Sequence, residues 1–168
     1  WNTFTTTGLT LNANTSTITC SSSSMTFAGG GLTYNNVTLS GAATATITGA
    51  NTFANLTRTG TAVKTDSLKL SDDQVVTGTF TANGNSVLNR LLIQSSSAAG
   101  TARTLTAAAV SVTNADFRDI TGAGAGNWNL LAIAGGSGDA LGNSGITFTA
   151  SATQTYTGSA NDSWSTLA

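Results

Sequence analysis

Seven aspartates and one cysteine are the chain's only acidic and thiol groups, and it has neither histidine nor glutamate. Without histidine no Ser-His-Asp or Cys-His relay can form within it. One cysteine cannot build a zinc site. Carboxylates remain, and two of them held ~5 to 9.5 Å apart can hydrolyse a glycosidic bond. The available pairs are Asp116 with Asp119 in "ADFRD" and Asp72 with Asp73 in "SDDQ". Alternation about an inward Phe117 puts Asp116 and Arg118 outside as a surface pair and Asp119 near the next bend. Asp72 and Asp73 read as turn formers, because aspartate bonds its own local backbone. No lined cleft is signalled, so no catalytic residue is expected.

Two further patterns invite chemistry. "GGSGDALGN", residues 135–143, resembles a calcium-binding nonapeptide but lacks one residue before Asp139 and does not recur in tandem. Calcium needs several oxygen ligands, so a glycine loop without metal or cofactor is the expectation. Repeated T-x-T strings suggest the flat threonine arrays with which some solenoids bind ice. Here they fall at irregular spacings and Arg58 interrupts one, so β-propensity on solvent faces accounts for them. The lone Cys20 reads as a small buried side chain.

Whatever these residues do, short strands must position them. Threonine supplies about a fifth of the chain, with 19 glycines, no proline and 8% charged residues. Runs such as "LTYNNVTLSG", "TATITG", "NTFANLTRTG" and "VSVTNADFRDI" alternate apolar and polar residues, the mark of strands with one buried face. There is no convincing amphipathic helix.

A local motif recurs: an apolar residue, an asparagine shortly after it, then a resumed strand. It places Asn36, Asn55, Asn89 and Asn114 at intervals of 19, 34 and 25 residues. Dividing the middle gap with Asp72 gives coils of about 17 to 25 residues, as in stacked repeats. Asparagine tolerates the left-handed bend between strands, and stacked side-chain amides can bond from coil to coil. The pattern therefore predicts an all-β, right-handed parallel β-helix (β-solenoid) of about seven coils. Asn36, Asn55, Asp72, Asn89 and Asn114 would form its turn ladder. Tyr34, Phe53 and Val112 would share one internal column, and Val37, Leu56 and Ala115 the next. An antiparallel β-sandwich is the alternative, since its strand spacing is similar.

The expected organisation is coils over 1–122, a Gly-rich lateral loop or cap over 123–145, then terminal strands and the start of a following module over 146–168. That last part would hold a strand pair at Ile146 to Thr149 and Thr153 to Thr157. A net charge of −1 with scattered basic residues leaves no footprint for nucleic acid. No apolar run reaches the ~18 to 20 residues of a helical membrane span, so membrane insertion is not expected.

"NSVLNRLLIQSSSAAGTARTLTAAAVSVTNADFRDITGAG", "GDALGNSGITFT" and "TQTYTGSANDSWST" resemble long Thr/Gly-rich repetitive proteins of bacteriophages and of some bacterial surfaces. The likeness covers roughly residues 75–166. It implies a non-enzymatic β-helix segment of a tail fibre or other extracellular appendage, located on a virion or cell surface. Uncapped ends imply contact with neighbouring modules or identical chains, such as a homotrimer. A surface adhesin contacting glycans through Trp128 and Trp164 is the alternative; a polysaccharide-degrading enzyme or an ice-binding solenoid ranks below it.

Overall fold

The structure is a computed structural model that describes residues 3–6, 8–97 and 100–150. Thirteen short strands run through it: β1 (Thr3–Thr5), β2 (Thr17–Cys20), β3 (Thr26–Ala28), β4 (Thr33–Leu39), β5 (Thr44–Thr48), β6 (Thr52–Thr59), β7 (Ser67–Leu70), β8 (Gln74–Asn83), β9 (Leu91–Ser95), β10 (Arg103–Thr113), β11 (Ala115–Arg118), β12 (Ile120–Ala123) and β13 (Ser137–Asp139). Odd-numbered strands form one sheet and even-numbered strands the other, each in sequence order. Every strand pairing is parallel. The chain therefore winds as a right-handed parallel β-helix of about seven coils, the hand that parallel crossovers adopt. An antiparallel sandwich is excluded by the pairing.

The even sheet bends where the alternation slips by one residue. Tyr34 and Val37 are both buried with Asn35 and Asn36 between them, and Phe53 and Leu56 repeat this around Ala54 and Asn55. The recurrent motif marks this corner. Strand β8 carries one extra residue there, a bulge over Thr77 to Thr79. Gly78 is needed at that point, because a Cβ would lie 2.5 Å from the carbonyl oxygen of Ala54. Beyond the bend the even strands form a second limb, Asn36–Leu39, Asn55–Thr59, Thr79–Asn83 and 109–113, continuous with β2 at its N-terminal end.

Inside, Tyr34 pairs with Phe53 and Val37 with Leu56, as the motif predicts. Val112 instead stacks on Ala82, while Ala115 belongs to the odd sheet between Leu91 and Ser137. Phe4, Phe27, Tyr34 and Phe53 form an aromatic stack, with Phe4 and Phe27 rings 4.8 Å apart. At the other end Trp128 plugs the core against Phe80 and Phe117.

The expected five-member turn ladder is corrected. Only Asn36 and Asn55 stack, Asn55 Nδ2 donating to Asn36 Oδ1 at 2.8 Å. The next rung is Thr79, whose backbone N–H donates to Asn55 Oδ1 at 2.9 Å. Asn89 lies in the connection from β8 to β9, its N–H bonded to Ser86 Oγ. Asp72 sits at the opposite corner, accepting from the N–H of Gly49. Asn114 forms the whole connection between β10 and β11, and it alone of the five has the left-handed backbone, at φ 48°. The physical reason is unequal coil length. Equivalent residues are 19 apart between β4 and β6 but 30 apart between Phe80 and Val110, because connections absorb the extra residues.

The segment 123–145, expected as a lateral loop or cap, continues the winding. It supplies β13, and the bridges Thr121 to Ser144 and Asn129 to Thr147 extend the stack. Ile146 to Thr149 contributes a bridge rather than a strand. The strand expected at Thr153 to Thr157 lies outside the described residues.

Candidate functional site

The charged trio of "ADFRD" separates on folding. Register with β9 points Asp116 and Arg118 outward and Phe117 inward. Asp116 is held by Arg90, whose Nε donates to Oδ2 at 2.8 Å and whose second nitrogen donates to Oδ1 at 2.7 Å. That bidentate pair raises the Arg90 pKa. Arg90 also donates to the carbonyls of Ala115, Gly135 and Gly136 and so ties three successive coils together. Arg118 donates to Gln94 Oε1 at 2.6 Å.

Asp119 lies at the bend expected for it, but inside. It is buried, occupies the corner between β11 and β12 at φ 54°, and accepts from the N–H of Gly100 at 3.0 Å. Its other carboxylate oxygen has no hydrogen bond, with Arg118 Nε 3.7 Å away.

The remaining aspartates do the same kind of work. Asp66, 2% exposed, accepts from the N–H groups of Ala43 and Thr61. Asp73 accepts from the N–H of Thr104, a coil away, and Asp139 accepts from Leu141 N–H and Asn143 Nδ2. Each of the six described aspartates thus satisfies donors at a corner or between coils, which parallel stacking otherwise leaves unpaired. Two of them, Asp116 and Asp139, line a recess of about 350 Å³ with Lys64 and Arg90. There Asp116 is clamped by Arg90 and Asp139 closes its own turn. The loop 135–143 is such a turn, and no group of three metal-ligating side chains occurs among the described residues.

Sequence reasoning missed two internal devices. At the corner before β6 and β8, buried Asn51 and Gln74 form an amide ladder, Asn51 Nδ2 donating to Gln74 Oε1 at 3.1 Å and Asn51 Oδ1 accepting from Gly31 N–H. The other is Arg58, fully buried, which donates to the carbonyls of Leu39, Gly41, Ala43, Thr59 and Ser67. Burial pushes its pKa down, and the charge of Asp66 opposes that shift. Arg58 points inward, so the reading that it interrupts an outer threonine array is overturned.

That array is more regular than its spacing suggests. On the second limb Thr19, Thr38, Thr57, Thr81 and Ser111 occupy one outward column over five successive coils. Thr17, Asn36 and Asn55 form the column on one side of it, and Thr59, Asn83 and Thr113 that on the other. No charged side chain points outward from this limb among the described residues.

Trp128, expected as a surface contact, is 6% exposed, and its indole N–H donates to the Ala123 carbonyl. Trp164 lies outside the described residues. Cys20 lines a recess of about 400 Å³ with Phe4, Ile18 and Met25 at the N-terminal end of the core. Burial pushes its thiol pKa up, which lowers the thiolate fraction at neutral pH. Alkylation by iodoacetamide is therefore expected to be slower at pH 7.5 than for a free thiol, with a pH-rate midpoint above the ordinary ~8.5. A midpoint at or below that value would contradict the half-buried placement.

Compared with protein-family models, curated proteins and solved structures, the chain matches none, so its reading rests on its own geometry.

Proposed function

We propose that the chain is a non-enzymatic structural module, a stiff segment of a virion fibre or other extracellular appendage. The observation that carries this reading is the use made of its ionisable groups. Described aspartates and the arginines Arg58 and Arg90 bond coil to coil or close corners, those beside the recess included. Parallel sheets that bond each coil to the next resist bending and leave few segments for a protease to enter. At the N-terminal end Phe4, Ile18 and Cys20 are only half-buried, which favours stacking on a neighbouring module or an identical chain.

The adhesin reading has less support. Its aromatic contact is inside, and the exposed large apolar residues among those described are all aliphatic.

The test is to place an epitope in the exposed connection at Val87–Leu88 of the protein and locate it by immunogold electron microscopy. Gold on an appendage outside the cell or on a particle is the expected result. Gold confined to the cell interior would overturn the proposal.

A further inference from the structure

From the register and charge of the second limb, we infer that its outer face binds ice. This inference goes beyond the rod-like role and does not depend on it. Three outward columns, centred on Thr19, Thr38, Thr57, Thr81 and Ser111, make a two-dimensional array of hydroxyl, methyl and amide groups. Neighbouring rungs of a parallel sheet are ~4.8 Å apart, and outward residues two apart along a strand are ~6.6 Å apart. The first repeat is close to that of water oxygens along one axis of a prism face of ice, and the second is somewhat shorter than that along the other axis.

The face also matches ice in charge. Ice is a neutral surface of hydrogen-bond donors and acceptors, and ions are excluded from its lattice. The outward charges Lys69, Asp116 and Arg118 lie on the odd sheet, while Arg58 is turned into the core. Register is constant from Leu56 to Thr59 against β8, beyond the bulge, so the columns stay aligned where they are widest. The amide ladder from Asn55 through Asn36 to Thr17 Oγ1 fixes one border. β-branched side chains have few rotamers, so little side-chain entropy is lost on contact with a rigid lattice.

A glycan would need a different surface. Sugar rings are held by stacking on exposed aromatics, and this limb presents none among the described residues.

The experiment uses the purified 168-residue chain in a nanolitre osmometer, with ice itself as the probe. The unaltered chain is expected to shape ice into facets and to hold growth over a measurable temperature gap. T57K, at the centre of the array, is expected to bring that gap to the buffer value. T46K makes the same change on the odd sheet and should keep it. Circular dichroism establishes that each variant is folded, and T38K takes the place of T57K should the latter unfold. Absence of shaping and of a gap in the unaltered chain overturns the inference, as does equal loss in T57K and T46K. Without an ice effect, retention on insoluble chitin or cellulose that T57K abolishes would also overturn it, by assigning the face to a glycan. So would a dimer that T57K converts to monomer, by assigning it to a second copy.

Discussion

Replacing Arg58 with alanine is expected to destabilise the chain by about 3 to 5 kcal/mol, the range seen when one member of a buried charged network is removed. For a domain of this size that corresponds to a fall in Tm of roughly 6 to 20 °C. The loss has three parts. Five carbonyl oxygens, from Leu39 to Ser67, lose a charged donor where water cannot replace it. The large side chain leaves a void in close-packed surroundings. Asp66 keeps its burial and loses the nearby positive charge. R58K is expected to recover little, because an ammonium group cannot address five divergent acceptors. Thermal unfolding followed by circular dichroism checks both variants. A Tm within a degree or two of the unaltered chain would mean the guanidinium is not what joins these coils.

W128A is expected to cost about 3 to 5 kcal/mol, as for other large-to-alanine changes in a core. The indole faces Phe80 and Phe117 at centroid distances of 6.2 and 6.4 Å, and truncation would open the last coils to water. Gly122 is shaped to the ring, since a Cβ there would lie 2.7 Å from it. W128F keeps most of the packing and loses part of the ring volume and the bond to the Ala123 carbonyl, the bond being worth about 1 kcal/mol. Urea unfolding of the three proteins should rank W128A well below W128F. A stable W128A that had lost a surface ligand would restore the exposed placement.

These two residues also show where sequence reasoning works. Period-two alternation from Leu56 places Arg58 inward, and the arginine does point that way. The charge argued against it, because buried arginine is rare unless paired. The pairing partners are backbone carbonyls scattered from Leu39 to Ser67, which leave no trace in side-chain types. Trp128 sits among glycines that look like a loop, yet several of them permit close approach to the preceding coil. The strand runs and the Asn36 to Asn55 rung were legible because no insertion separates them. Asn89 failed as a rung because the connections after Thr59 and Asn83 hold residues outside the winding. The same slack made the threonines look irregular. Their alignment is a property of register, which spacing along the chain does not report.

Parallel stacking also gives the chain a direction in time. Each strand inside a sheet pairs with strands one turn earlier and later, some 17 to 31 residues away, as Arg103 with Ile120 and Leu105 with Gln74 show. Loop closure on that scale is cheap and is repeated nearly unchanged from turn to turn. A nascent chain can therefore add each turn to the edge left by the last, and folding keeps pace with synthesis without waiting for a distant partner.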